Sequence, residues 1–232
     1  VLRLHHLELR HGTGTGLTCT PSTLTVVACQ DAACATPNTT GLTGTLTATG
    51  TPSVVWPGGA GFSIAPGSSS STVNVQVTSA GSVSFGTTGL SATPSSATTC
   101  TFGSPACSFT AQDSGLLFDV PPHLADNARS VSVSAVKKAD NSNACVPAFA
   151  SVSKTVAFAC SYQNPASGTL PVRVGGTAVS CGAGSQAVTL AFDTTGTAST
   201  TVQYADVGQV SLAATYTGSG NDAGLTMTGS DS

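Results

Sequence analysis

The sequence predicts an all-β chain of tandem immunoglobulin-like β-sandwich domains with disulfide-stapled turns. Three observations carry this. Of 232 residues, 36 are Thr and 31 Ser, whereas Glu occurs once and Lys three times; Thr and Val favour strands, and the usual helix formers are scarce. Short segments alternate apolar and hydroxyl side chains with period two. The chain also repeats itself at an offset of roughly 125 residues.

Val73-Asn74-Val75-Gln76-Val77, Val131-Ser132-Val133-Ser134-Ala135-Val136, Val188–Phe192, Thr200–Tyr204 and Gln209–Tyr216 each alternate in this way. Successive side chains point to opposite faces of a strand, so each segment buries one row and wets the other. Pro57-Gly58-Gly59, Asp193–Gly196 and Gly218–Asp222 separate such segments as turns. Many short strands without helical stretches between them read as sandwiches. Val75–Phe85 aligns with Val202–Leu212 through the shared pattern V-Q-(aromatic or V)-x₃-G-x-V-S-(large apolar). Its expected form is a β-hairpin around a glycine turn. Gly44-Thr45-Leu46 and Gly168-Thr169-Leu170 form a weaker pair. Two copies of one unit follow, with the change between Cys100 and Ser114, giving domains at 1–105 and 106–232.

Eight cysteines, an even number, accompany low charge and abundant hydroxyls, which indicates an oxidising compartment and disulfides. Zinc would want repeated close Cys or His pairs, and Cys29-x₄-Cys34 has no second pair of its kind. Cys29 and Cys34 bracket a turn-sized loop, and Cys100 and Cys107 bracket Gly103-Ser104-Pro105. Closing such loops contributes roughly 2–2.5 kcal/mol each. Cys19, Cys145, Cys160 and Cys181 admit three connectivities. Cys145–Cys160 within the second unit is the expected one, which leaves Cys19–Cys181 between units.

Charged residues make up 7 % of the chain, with a net charge of −3 and seven Lys plus Arg. That is no footprint for nucleic acid. No apolar run approaches the length of a membrane-spanning helix. Residues 1–10 lack the layout of a signal peptide, so the expectation is a mature chain or an excised piece of a longer one.

Few residues offer chemistry. His5, His6 and His11 lie near Glu8, but a zinc site wants three or four converging ligands, and the segment reads as a solvated edge strand. Asp113, Asp119, Asp126 and His123 fall within fourteen residues. A glycosidase needs two acids across a cleft, and this run reads as a turn feeding the strand at Val131. EF-hand spacing is absent, as is a G-x-S-x-G nucleophile elbow. Gly12–Gly16 lacks the Lys of a phosphate-binding loop and opens no helix. Neither a catalytic residue nor a cofactor or metal site is therefore expected. Trp56, the single tryptophan, either packs on the core or serves as an exposed interaction site. Asn38-Thr39-Thr40 fits a glycosylation sequon and so suggests a surface loop.

Residues 116–232 carry a set of strings that belong together: Leu116–His123, Ala144–Ala150, Cys160–Pro165, Gly168–Gly176 and Ala198–Gly208. Leu17–Pro21 and Ala28–Cys34 extend the set into the first half. In these the chain resembles the large secreted proteins related to MshQ, from mannose-sensitive haemagglutinin (type IV) pilus gene clusters of proteobacteria. The resemblance implies a domain without assigned activity in an exported protein at a Gram-negative cell surface, and it carries over no catalytic residue. The expected function is a non-enzymatic structural module of a surface appendage, pilus-associated or filament-forming. Its partners would be other copies, neighbouring domains of a longer protein, or pilus components. Sparse charge suits close lateral packing, because few ions need desolvation. Residues 1–10 would serve as the first strand of their own domain or as a donor strand for a neighbour. The alternative function is an adhesin module that binds glycan or host surface through sandwich-end loops; a hydrolase is a distant third.

Overall fold

Alternation between buried aliphatic and exposed hydroxyl side chains builds the strands of the computed structural model, which describes residues 3–103 and 106–232. Val1, Leu2, Ser104 and Pro105 lie outside the described residues, and with them parts of the expected donor strand and of the turn between Cys100 and Cys107. The chain divides into two compact units. One comprises the chain up to Asp113 with Lys138–Ala144, the other Ser114–Lys137 with Cys145–Ser232.

The first unit contains β1 (His6–Arg10), β2 (Thr15–Leu17), β3 (Ser22–Cys29), β4 (Leu42–Gly50), β5 (Val54–Val55), β6 (Gly61–Ile64), β7 (Ser70–Val77), β8 (Gly81–Thr88), β9 (Thr99–Thr101) and β10 (Ser108–Gln112). They form two sheets, β5-β7-β3-β1-β9 and β2-β10-β8-β4-β6. Leu7, Leu9, Leu24, Val75, Phe85 and Phe109 are among the residues filling the core between them. β10 follows the boundary expected at residue 105, and it pairs with β2 and β8.

The second unit contains β11 (Ser114–Leu117), β12 (Arg129–Lys138), β13 (Cys145–Pro147), β14 (Val152–Asn164), β15 (Val172–Val174), β16 (Thr177–Val179), β17 (Ser185–Phe192), β18 (Thr197–Tyr204), β19 (Gln209–Thr217) and β20 (Thr226–Asp231). A short 3-10 turn, Gly220–Asp222, precedes β20. The sheets are β11-β12-β18-β15-β16, with β13 alongside β12, and β17-β14-β19-β20. Val133, Val156, Phe158, Val172, Leu212 and Met227 lie in their shared core. The fold is all-β and immunoglobulin-like.

Three expectations are corrected. The repeated segment is not a hairpin. β7 and β8 lie in opposite sheets of the first unit, and β18 and β19 in opposite sheets of the second. In each pair both strands aim an apolar row at one core, here Val73, Val75 and Val77 against Val83 and Phe85. Two facing sheets satisfy both rows at once, so the connection crosses the sandwich. The glycine at the crossing has φ +136° at Gly81 and +147° at Gly208, and a Cβ on Gly208 would meet the Asn164 carbonyl oxygen at 2.7 Å. The weaker pair is not structurally equivalent, since Gly44–Leu46 lies in β4 and Gly168–Leu170 lies between β14 and β15.

The first strand is not an edge. β1 lies between β3 and β9, with Leu7 and Leu9 fully buried, so His6–Arg10 completes a sheet of its own unit. Its apolar side chains are what put it inside.

The cysteine pairing also differs. Cys29–Cys34 and Cys100–Cys107 are joined, each across its own turn. Cys160, however, is joined to Cys181, and not to Cys145. Cys160 faces the core from β14, and the chain leaving β16 passes the same point, where Gly182 N–H donates to the Cys160 carbonyl. Cys145 stands on β13, beside β12 in the other sheet. The companion Cys19–Cys181 bond is excluded by the same pairing. Cys19 and Cys145 are themselves disulfide-bonded.

Candidate functional site

The residues singled out for chemistry do not converge. His6 is buried, and its register partner on β3 is Cys29. Its ligand atom and the Cys29 and Cys34 sulfurs lie within 4.8 Å of one another, but both sulfurs are spent in the disulfide and offer no thiolate. His5 Nδ1 and His6 Nδ1 share a hydrogen bond of 2.9 Å. His11 Nδ1 accepts from the backbone N–H groups of Gly14 and Thr13 at 3.0 and 3.3 Å, and its ring meets Phe102 and Phe109 edge-on. Glu8 is ion-paired with Arg10. Asp113 accepts from the Thr18 hydroxyl at 2.7 Å and belongs to the first unit, whereas Asp126 belongs to the second. His123 Nδ1 lies 3.0 Å from the Pro121 carbonyl. Trp56 is half-buried and packs edge-on to Phe85 with ring centroids 5.9 Å apart, on the rim of the first core.

Asn38 lies on a loop between β3 and β4 whose neighbours Pro37 and Thr40 are exposed, but its own side chain is turned inward. It is buried at 3 % exposure. Its Oδ1 accepts from Thr40 N–H and the Thr40 hydroxyl, and its Nδ2 is enclosed without a partner among the described residues.

Ionised side chains that are held in place serve the turns. Asp31 accepts from the N–H groups of Ala33, Ala35 and Thr36 across the Cys29–Cys34 loop, and those bonds hold its carboxyl below the ordinary range. Asp193 does the same for Thr195 and Thr197 between β17 and β18. Lys154 on β14 binds Asp222, which also accepts from Tyr216 Oη at 2.7 Å, and the ammonium stands 5.2 Å from the Phe149 ring centroid. The carboxylate raises the Lys154 pKa and the ammonium lowers that of Asp222. This cluster anchors the turn before β20.

Two surfaces are left. The first is the set of outward sheet faces. In the second unit Thr155, Ala157 and Ala159 of β14 face outward, flanked by Thr189 and Ala187 of β17 and by Thr215 and Ala213 of β19. No ionised side chain stands on this face. In the first unit β4 presents Thr43, Thr45, Thr47 and Thr49 beside Ser84 and Ser82 of β8. The Ser82 and Thr110 hydroxyls bond across the strands at 2.8 Å.

The second surface is a shallow cavity of about 120 Å³ at one end of the second unit, lined by Asp126, Leu170, Pro171, Arg173, Gln203 and Ala205. Arg173 and Gln203 are register partners on β15 and β18. Both point outward because their neighbours Val172, Val174, Val202 and Tyr204 point in. Asp126 sits in a left-handed turn, φ +60°, fixed by its N–H donating to the Tyr204 carbonyl. Gln203 Nε2 donates to Asp126 Oδ1 at 2.8 Å and to the Asp126 carbonyl at 3.0 Å. Arg173 Nη1 donates to the Gly176 carbonyl at 3.2 Å. Among the described residues the ion pairs are Arg10–Glu8 and Lys154–Asp222, so Arg173 has no carboxylate partner there. Leu170 is partly exposed, and Leu124 and Val207, on the loops that supply Asp126 and Ala205, are the most exposed large aliphatics. Sequence reasoning found Asp126 but missed Arg173 and Gln203, which only strand register brings to it.

Comparison with known proteins places these features in context. The family model described as a domain of unknown function (DUF6701), first Ig-like domain, matches residues 97–230. A second model, a domain of unknown function (DUF8613), matches residues 4–101. No curated protein is similar at a significant level. Among solved structures the chain is similar to the D0–D1 domain of intimin (TM-score 0.38, 14 % identity, covering 97 % of this chain and 94 % of that one). It is also similar to the Escherichia coli adhesin FdeC (0.33, 14 %, 100 % and 66 %), and to the Yersinia pseudotuberculosis adhesin InvE (0.27, 15 %, 97 % and 57 %).

Proposed function

The chain belongs to the DUF6701 family, matching the model of its first Ig-like domain, and from that premise we propose that it is a non-enzymatic structural module of an extracellular bacterial surface appendage. On this reading it consists of two tandem domains and works by packing laterally against other copies or neighbouring domains. The observation that carries the reading is the outward face of β17-β14-β19, made of Thr, Ser and Ala with Gln163 and Gln209 at one end, and without an ionised group. Small side chains let a second sheet approach closely, and without charges neither desolvation nor like-charge repulsion opposes it. Disulfides in both units suit a compartment without reductant. The resemblance to MshQ-related proteins supports a Gram-negative surface, with pilus components as partners. No helix among the described residues is long and apolar enough to cross a membrane.

Cryo-imaging of native material, and of concentrated protein beside an Ala157→Lys variant, tests the proposal. The wild type is expected to form lateral assemblies, and the variant, with an ammonium on the packing face, to stay dispersed. Isolated monomers in both would overturn it.

A second reading, an adhesin module acting through its sandwich-end loops, is favoured by the cavity at Asp126, Arg173 and Gln203 and by the exposed Leu124 and Val207 beside it.

A further inference from the structure

The cavity at the end of the second unit has a chemical signature of its own, and the inference drawn from it rests on the loop-end binding reading. On one side stands Arg173, whose hydrogen bond to the Gly176 carbonyl uses a single N–H of the five that a guanidinium offers. It forms no ion pair among the described residues. On the other side stands Asp126, with Oδ1 held by Gln203 and Oδ2 left as an acceptor. Gln203 sits between them in register with Arg173, its amide nitrogen committed to Asp126 and its carbonyl oxygen therefore available. The apolar part of the lining is Leu170, Pro171 and Ala205.

We infer that this cavity binds a carboxylate-bearing saccharide, of the uronic acid type. The guanidinium fork matches a carboxylate in two parallel hydrogen bonds. The Asp126 carboxylate and the Gln203 carbonyl accept from vicinal ring hydroxyls, which a neutral apolar ligand lacks. Leu170, Pro171 and Ala205 supply the apolar part of the wall against which the C–H face of a pyranose would lie. At about 120 Å³ the cavity is smaller than a pocket that encloses a ligand, so its few polar groups on a partly apolar wall suit one face of a terminal sugar and leave the rest in solvent. Asp126 is held in its left-handed turn by main-chain and side-chain bonds, and Arg173 and Gln203 stand on paired strands, so the three groups are positioned before any ligand arrives.

Saturation-transfer NMR on the whole chain tests this with two sets of probes: glucuronic and galacturonic acid-terminated oligosaccharides, and glucose and galactose-terminated ones of equal length. The acidic set is expected to bind about tenfold tighter than the neutral set, and less tightly as NaCl is raised. Arg173→Ala should abolish that preference and Arg173→Lys recover part of it, with circular dichroism showing both variants folded. Equal binding of the two sets would overturn the acidic ligand while leaving loop-end binding intact. Binding that survives Arg173→Ala undiminished would place the ligand elsewhere on the chain and overturn the inference alone. If neither set binds the folded wild type, both the inference and a glycan-binding role for this end fall together.

Discussion

His11 shows how one side chain ties a turn to a core and makes both sensitive to acid. Its Nδ1 accepts two backbone N–H groups from the Thr13–Gly14 turn, while its ring leans on Phe102 and Phe109. Burial lowers its pKa below the ordinary 6.5, and burial acts on His6 in the same direction, with the His5 ring adding to the effect. A base whose pKa falls on folding binds more protons when unfolded, so stability rises with pH across the interval between the two values. The contribution is complete above pH 6.5 and is lost as pH falls from there to the folded values. Protonating Nδ1 of His11 also turns an acceptor into a donor facing two donors. Urea denaturation at pH 8 and pH 5.5 should therefore show a less stable protein at the lower pH. His11→Phe keeps the ring contacts, should cost about 1 kcal/mol at pH 8 for the lost bonds, and should reduce the dependence to the part that His6 contributes. Asp31 and Asp193 act in a separate window. Their carboxyls lie below the ordinary 3.8, so what they contribute holds above that value and disappears only as pH falls through their lower, folded-state values.

At the scale of the element, strands are legible from period two alone because each buries one row. The alternating runs at 73–77, 131–136, 188–192, 200–204 and 209–216 all fall inside strands. What period two cannot tell is which sheet a strand joins, and the repeated segment shows why. A hairpin and a crossing between sheets present the same alternation and the same turn glycine; they differ in the partner strand, a long-range choice made by the core. Cys160 and Cys181 were hidden for the same reason. Short spacing pointed to the two turn-closing disulfides, whereas this bond spans 21 positions and depends on β16 passing the end of β14. Arg173 and Gln203 became neighbours only through β15–β18 register. Because the Cys160–Cys181 bond closes a longer loop, it removes more freedom from the unfolded chain than either turn staple. Replacing both residues by Ala should lower stability by about 3 kcal/mol. Calorimetry should place that loss in the second unit, with Trp56 emission reporting the first unit unchanged, since Trp56 packs on the first core.

At the scale of the whole molecule, seven cationic and ten acidic side chains are spread over 232 residues, and the described ion pairs number two. Surface pairs are worth little, and the part-buried Lys154–Asp222 pair fastens a single turn, so the fold rests on its two apolar cores and its cross-links. The same scarcity of charge separates the two surfaces proposed for binding. Lateral packing through hydroxyl and alanine faces involves no ions, so it should not respond to screening. Raising NaCl from about 0.1 M to 1 M cuts the Debye length from about 10 Å to 3 Å. Sedimentation velocity over a concentration series should give the same self-association at both salt levels, strengthened by ammonium sulfate, which favours burial of weakly polar surface. Uronate binding at Arg173 should weaken over the same salt range. Self-association that dissolves in 1 M NaCl would mean that charged groups hold the copies together, and the faces of β14 and its neighbours would then lose their proposed role.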